Sequence, residues 1–127
     1  MYAVSVSRSC IAQHYLTVPD PGPEGTLHSH RFDIEAEFRG PALNEYGYVV
    51  DIDAMIKALK AVVDGFRDRT LNDLSAFEGL NPSAERLAEV IGDRLLDRLD
   101  PETATELAVH VREDDVAVVT HERGIRS

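Results

Sequence analysis

The residues best suited to chemistry lie in one stretch, Glu24-Gly25-Thr26-Leu27-His28-Ser29-His30-Arg31-Phe32-Asp33-Ile34-Glu35-Ala36-Glu37-Phe38. Taken with period two, His28, His30, Phe32, Ile34, Ala36 and Phe38 fall on one face of a strand. Ser29, Arg31, Asp33, Glu35 and Glu37 fall on the other. Charges at alternate positions mark a solvated face, so the histidines share the inward face with the apolar residues. Two imidazoles side by side suit a small divalent metal. One more histidine from a neighbouring strand would make three ligands and leave a fourth position open, the arrangement of catalytic zinc. Taken alone, the pair also fits two partly buried histidines with ordinary hydrogen bonds.

The elements that must position this stretch follow from the rest of the chain. Tyr2 to about Tyr15 alternates as a first strand, with Val4 and Val6 set against Ser5 and Ser7. Thr17 to Gly25 carries Pro19, Pro21, Gly22 and Pro23, which predicts a loop. The second strand runs from about Leu27 to Arg39 and ends at Gly40-Pro41. Pairing the two strands antiparallel would bring His14 near His28 and His30. Asp51 is placed to cap a helix whose apolar stripe is Ile52, Met55, Ile56, Leu59, Val62, Val63 and Phe66. Arg67 to Gly79 reads as a polar connection. A second helix is expected from Asn81-Pro82, with Asn81 as cap, burying Ala84, Leu87, Ala88, Ile91, Leu95 and Leu99. Leu107, Val109, Val111 and Glu113 share one face of a third strand, and Glu106, Ala108, His110 and Arg112 the other, which places His110 at the surface. Asp114-Asp115 makes a tight turn, Val116 to His121 returns, and the tail from Glu122 is expected to fray. The order ββααββ, with helices on one face of a four-stranded antiparallel sheet, is an α+β class. The two open edges of such a sheet are commonly closed by another subunit, so a homo-oligomer is expected.

Composition narrows the function. A chain of 127 residues with 43% hydrophobic content is expected to form one domain over residues 1–127. The net charge of −10, with only Lys57 and Lys60 as lysines, argues against nucleic-acid binding through a basic face. No segment is long and apolar enough for a membrane span, and the N-terminus has no signal core, so a cytoplasmic location is expected. Cys10 is the single cysteine, which precludes an internal disulfide and fits a reducing compartment. Its strand position suggests a small buried hydrophobe.

Several segments in this order resemble the 6-pyruvoyltetrahydropterin synthase family, which includes the 6-carboxytetrahydropterin synthases of queuosine biosynthesis. Ile11-Ala12-Gln13-His14 is similar to the first-strand segment ending in a zinc ligand. Leu27-His28-Ser29-His30-Arg31-Phe32 resembles the His-Gly-His motif, with Ser29 in place of glycine. Val49-Val50-Asp51-Ile52, Leu71-Asn72-Asp73 and Asn81-Pro82-Ser83-Ala84-Glu85 match further segments, and Glu113 matches the glutamate that holds the pterin. The resemblance covers about Tyr2 to Val119. It implies Zn2+ on His14, His28 and His30, and the tunnelling fold. It also implies assembly commonly into hexamers, with active sites at subunit interfaces.

Two departures bear on the reaction. Family members usually carry a cysteine four residues before the His-x-His pair, where this chain has Glu24. Their Asp-His segment before Leu-Asn is Arg67-Asp68 here. Glutamate in place of the cysteine resembles a subgroup that cleaves a dihydroneopterin phosphate to 6-hydroxymethyl-7,8-dihydropterin, a folate precursor. On that resemblance Glu24 is the general base, Asp68 a proton relay, and Glu113 and Glu85 substrate-binding residues. Glu24 could instead be a solvated loop residue, and Glu85 could only complement a helix dipole. The competing functions are a 6-carboxytetrahydropterin or 6-pyruvoyltetrahydropterin synthase with altered acid and base groups, and a pterin-binding relative without catalysis.

Overall fold

A computed structural model describes residues 1–125. Its main elements are β1 (Tyr2–His14), β2 (His28–Gly40), α1 (Ile52–Asp64), α2 (Ala84–Arg98), β3 (Glu106–Glu113) and β4 (Ala117–Gly124). The four strands form one antiparallel sheet in the order β1-β2-β3-β4. The expected ββααββ order and α+β class are observed. Among the described residues, no helix is long and apolar enough to cross a membrane.

The alternation of β2 decides which face carries the helices. Phe32, Ile34, Ala36 and Phe38 are buried beneath α1 and α2, and Leu107, Val109 and Val111 of β3 join them. Burying a side chain of this size is worth about 1.5–3 kcal/mol, so a one-residue slip of β2 would forfeit much of the core. The β1–β2 register sets His14 opposite His28 and Ala12 opposite His30. Cys10 is buried, and burial pushes its thiol above the usual range, as suits an inert packing residue.

The opposite sheet face is mostly polar, with Ile11 and Val118 half exposed on it. Ala108 is buried there although its strand neighbours point to water. It pairs with Glu37 on one side and Glu122 on the other, and Arg39 bridges those two carboxylates above it at 3.0 and 3.2 Å.

Asp51 caps α1 as expected, its carboxylate accepting from the amides of Asp53 and Ala54. Met55, Leu59, Val62, Val63 and Phe66 are buried, but Ile52 and Ile56 stay half exposed, because α1 turns them away from the sheet. The start of α2 also differs from expectation. Ser83 is the cap and Ala84 the first helical residue. Asn81 instead accepts from the backbone N–H of Thr17, and Leu99 ends the helix as a partly buried cap. The connection after α1 is less polar than it reads, since its short helical turns bury Leu71 and Phe77.

β4 continues through Gly124 rather than fraying after His121. Arg123 anchors it, donating to Asp93 and to the Glu89 carbonyl of α2. Gly92 makes this possible: a Cβ there would sit 2.8 Å from the guanidinium. The remainder of the expected tail, Arg126 and Ser127, lies outside the described residues.

Candidate functional site

Cross-strand pairing brings three histidines to one end of the β1–β2 pair. The ring centroids are 4.6 Å apart for His14 and His28, 4.7 Å for His28 and His30, and 5.1 Å for His14 and His30. Phe32 forms an apolar floor, edge-on to His14 and His30.

Each ring is fixed from behind through Nδ1. His14 Nδ1 lies 2.8 Å from the Pro82 carbonyl, His28 Nδ1 2.7 Å from the Thr26 carbonyl, and His30 Nδ1 2.7 Å from Asp114 Oδ2. A carbonyl or carboxylate can only accept, so each Nδ1 carries a proton, and in the neutral ring each Nε2 presents a lone pair. All three Nε2 atoms are buried and without a hydrogen-bond partner. Buried polar atoms are normally paired, so three convergent orphans call for a ligand that accepts electron pairs. Burial holds the His14 imidazole below its ordinary pKa, against the opposing pull of the Pro82 carbonyl, which favours the neutral, ligating form.

Carboxylates complete the surroundings. Glu24 Oε2 lies 2.7 Å from His28 Nε2, and Glu113 Oε1 lies 3.3 Å from His30 Nε2, though neither is aligned for a hydrogen bond. The ligating atoms of His14, Glu24, His28 and His30 all fall within 4.8 Å of one another. Three imidazoles are a fitting donor set for zinc with a fourth position left open, and Glu24 stands beside that position. His14, Glu24, Glu85 and Glu113 line a cleft of about 270 Å³ with Leu16, Ser83, Ala84, Ala117 and Val119.

The structure thus brings together His14, His28, His30, Glu24, Glu85 and Glu113. Asp68 is elsewhere: it is exposed, at φ 59°, and its amide donates to the Ile11 carbonyl along the outer edge of β1. Among the described residues a second group, Glu35, Glu37 and His110, meets on the polar sheet face. His110 is partly exposed there and both its nitrogens are engaged, by Thr120 at 2.9 Å and Glu37 at 3.0 Å, so it has none of the orphaned nitrogens of the first site.

Sequence reasoning missed the supports. Asp114 reads as a turn residue, yet its carboxylate holds His30 and also accepts from the Arg31 amide, bonds that keep it below the usual carboxylate range. Asn72 and Asn81 fasten the chain leaving β1: Asn72 exchanges two bonds with the backbone of Tyr15, and Asn81 accepts from Thr17. The segments around them therefore hold the backbone just beyond His14.

Residues 3–124 match the 6-pyruvoyl tetrahydropterin synthase family, and the chain belongs to it. Among solved structures, 6-pyruvoyl tetrahydropterin synthase from Plasmodium falciparum is 18% identical with a TM-score of 0.81, and that from Caenorhabditis elegans is 20% identical with a TM-score of 0.77; each alignment covers 98% of both chains. The Plasmodium vivax enzyme with a catalytic glutamate replaced by alanine is 16% identical with a TM-score of 0.80, again over 98% of both chains. At these identities the likeness is one of fold, the tunnelling fold of a family of pterin lyases.

Proposed function

We propose that this protein is a zinc-dependent lyase that cleaves the side chain of a 7,8-dihydroneopterin phosphate to 6-hydroxymethyl-7,8-dihydropterin. The observation that carries this reading is the placement of Glu24, a carboxylate where the family usually has a thiol, beside three orphaned imidazole nitrogens. Zinc held by His14, His28 and His30 would supply a Lewis acid that makes a side-chain hydroxyl of the substrate easier to deprotonate.

The chain's own residues do the rest. Glu24, at the mouth of the cleft, takes the hydroxyl proton as general base. The adjacent C–C bond breaks in a retro-aldol sense, releasing the phosphate-bearing fragment as an aldehyde. The electron pair passes into the dihydropterin ring system, and a proton returned to the side-chain carbon completes the hydroxymethyl product. Glu113 accepts from ring N–H groups and fixes the ring against the reacting bond, and Glu85 lines the same cleft as a second substrate contact.

Asp68 serves as proton relay only if it reaches the cleft of another subunit, in keeping with active sites between subunits. Residues 67–70 cover the outer edge of β1 near Ser9, Ile11 and Gln13, and the edge left open along β4 supports a homo-oligomer, with the family's usual hexamer as the assembly proposed. A cytoplasmic location belongs to the same proposal.

The test is incubation of purified, zinc-loaded protein with dihydroneopterin triphosphate and, separately, monophosphate, followed by chromatographic identification of the pterins. Formation of the 6-hydroxymethyl product supports the lyase. A 6-pyruvoyl or 6-carboxy product would replace it with a synthase of the queuosine or biopterin routes. Binding without turnover would make the protein a non-catalytic relative.

A further inference from the structure

We infer that Asp114 is the positioning residue of the metal centre, acting through His30. The inference rests on the metal reading above and assigns a role to a residue outside the ligand set.

The geometry is specific. Asp114 begins the turn between β3 and β4, at φ 53°, a left-handed conformation uncommon outside glycine. Its amide donates to the Arg31 carbonyl at 2.7 Å, and its Oδ1 accepts from the Arg31 amide at 2.9 Å. Both polar groups of one β2 residue thus tie Asp114 to the strand that carries His30. The remaining oxygen, Oδ2, lies 2.7 Å from His30 Nδ1. One carboxylate therefore joins the backbone beside the ligand to the back of its ring. Only an acceptor at Oδ2 leaves Nε2 as the lone-pair nitrogen facing His14 and His28.

His14 and His28 rest on backbone carbonyls, which no substitution removes. His30 alone has its tautomer set by a side chain, so its ligating form is the one that mutation can change. Loss of such a support typically lowers metal affinity about 10–100-fold.

Asp114→Asn distinguishes positioning from mere turn structure, because asparagine is isosteric but has one acceptor and one donor. If its oxygen keeps the Arg31 amide, its NH2 faces His30 Nδ1 and forces the proton onto Nε2. If it turns over, the Arg31 bond is lost. Asp114→Ala removes both bonds. Zinc affinity would be measured by chelator competition on wild type and both variants, and cobalt(II) absorption would report the ligand geometry. In metal-free protein, long-range ¹H–¹⁵N spectra of the imidazoles, with His30 assigned by its loss in His30→Ala, would report the tautomer.

The expected result is a zinc affinity about 10–100-fold lower in both variants, together with loss of the pure Nδ1–H tautomer at His30 and little change in the apo-protein's melting temperature for Asp114→Asn. Zinc binding by wild type with unchanged affinity and tautomer in Asp114→Asn would overturn the inference and leave the metal centre standing. Absence of zinc binding by wild type would instead overturn the metal centre and this role together.

Discussion

His14 and His28 stand directly opposite each other across β1 and β2, their rings 4.6 Å apart and inclined at 67°. Neither Nε2 has a hydrogen-bond partner. Two imidazoles in this relation gain from a shared cation and gain little from each other. The wild type is therefore expected to bind about one zinc per chain. Replacing His28 and His30 together by alanine should abolish that binding, as elemental analysis of dialysed protein would show; equal zinc in both proteins would remove the metal centre.

Glu24→Gln should keep zinc and bind pterin but form 6-hydroxymethyl-dihydropterin roughly 10²–10⁴-fold more slowly, the usual loss for a missing general base. Glu24→Cys should not create the standard synthase reaction, because Arg67-Asp68 replaces, on the family resemblance, the Asp-His segment that supplies the thiol's histidine partner. Single-turnover product formation separates these outcomes from a binding defect, and wild-type turnover in Glu24→Gln would reduce Glu24 to a loop residue.

Glu113 lies 3.3 Å from His30 Nε2 and lines the cleft. A charged acceptor to ring N–H groups is worth about 1.5–3 kcal/mol. Glu113→Gln should accordingly weaken pterin binding by about tenfold or more while zinc content stays the same. Calorimetric titration with a non-reactive pterin would measure this, and unchanged affinity would place the ring elsewhere.

The Glu37 carboxyl is held below its ordinary pKa, first by the Arg39 guanidinium and then by the His110 ring N–H. A depressed carboxyl stabilises the fold above its unfolded pKa, near 4.5, and the contribution is lost as the pH falls through the lower folded value. Partial exposure limits the effect to about 1 kcal/mol or less. The stability gap between wild type and Glu37→Gln should be full at neutral pH and close below pH 4.5; denaturant melts at both ends of that range test the sign.

Gly40→Ala should destabilise the protein by about 1–3 kcal/mol, the usual cost of overpacking. A Cβ there would lie 2.7 Å from the Thr103 carbonyl oxygen and 3.2 Å from the Ala104 Cα. Both neighbours are backbone and cannot swing aside. A melting temperature equal to wild type would show that the segment before β3 yields easily.

The histidine cluster was legible because two local patterns sufficed: period two put His28 and His30 inward, and a proline-rich loop returned the chain beside His14. Its supports were not, since a carbonyl such as that of Pro82 has no side-chain signature and an aspartate in a turn looks like any other. Asn81 resembles a helix cap in sequence because nothing local reveals Thr17 as its partner. The stripe of α1 reads too wide at Ile52 and Ile56, because periodicity marks apolar residues and only packing decides which of them the sheet covers. β4 outlasts its expected end because Arg123 finds Asp93 and Glu89 on α2, contacts between residues far apart in sequence.

The three supports are spread along the chain very differently from the ligands. His28 leans on Thr26, its near neighbour, but His14 reaches 68 residues forward to Pro82 and His30 reaches 84 residues to Asp114. The ligands can therefore gather early, as a hairpin, while their working tautomers wait for α2 and then the last turn of the sheet to dock. Closing such long loops costs more chain entropy than closing the hairpin. A chain still lacking its final strands would hold all three histidines yet only a weak grip on metal, so full metal affinity reports that folding has run to completion.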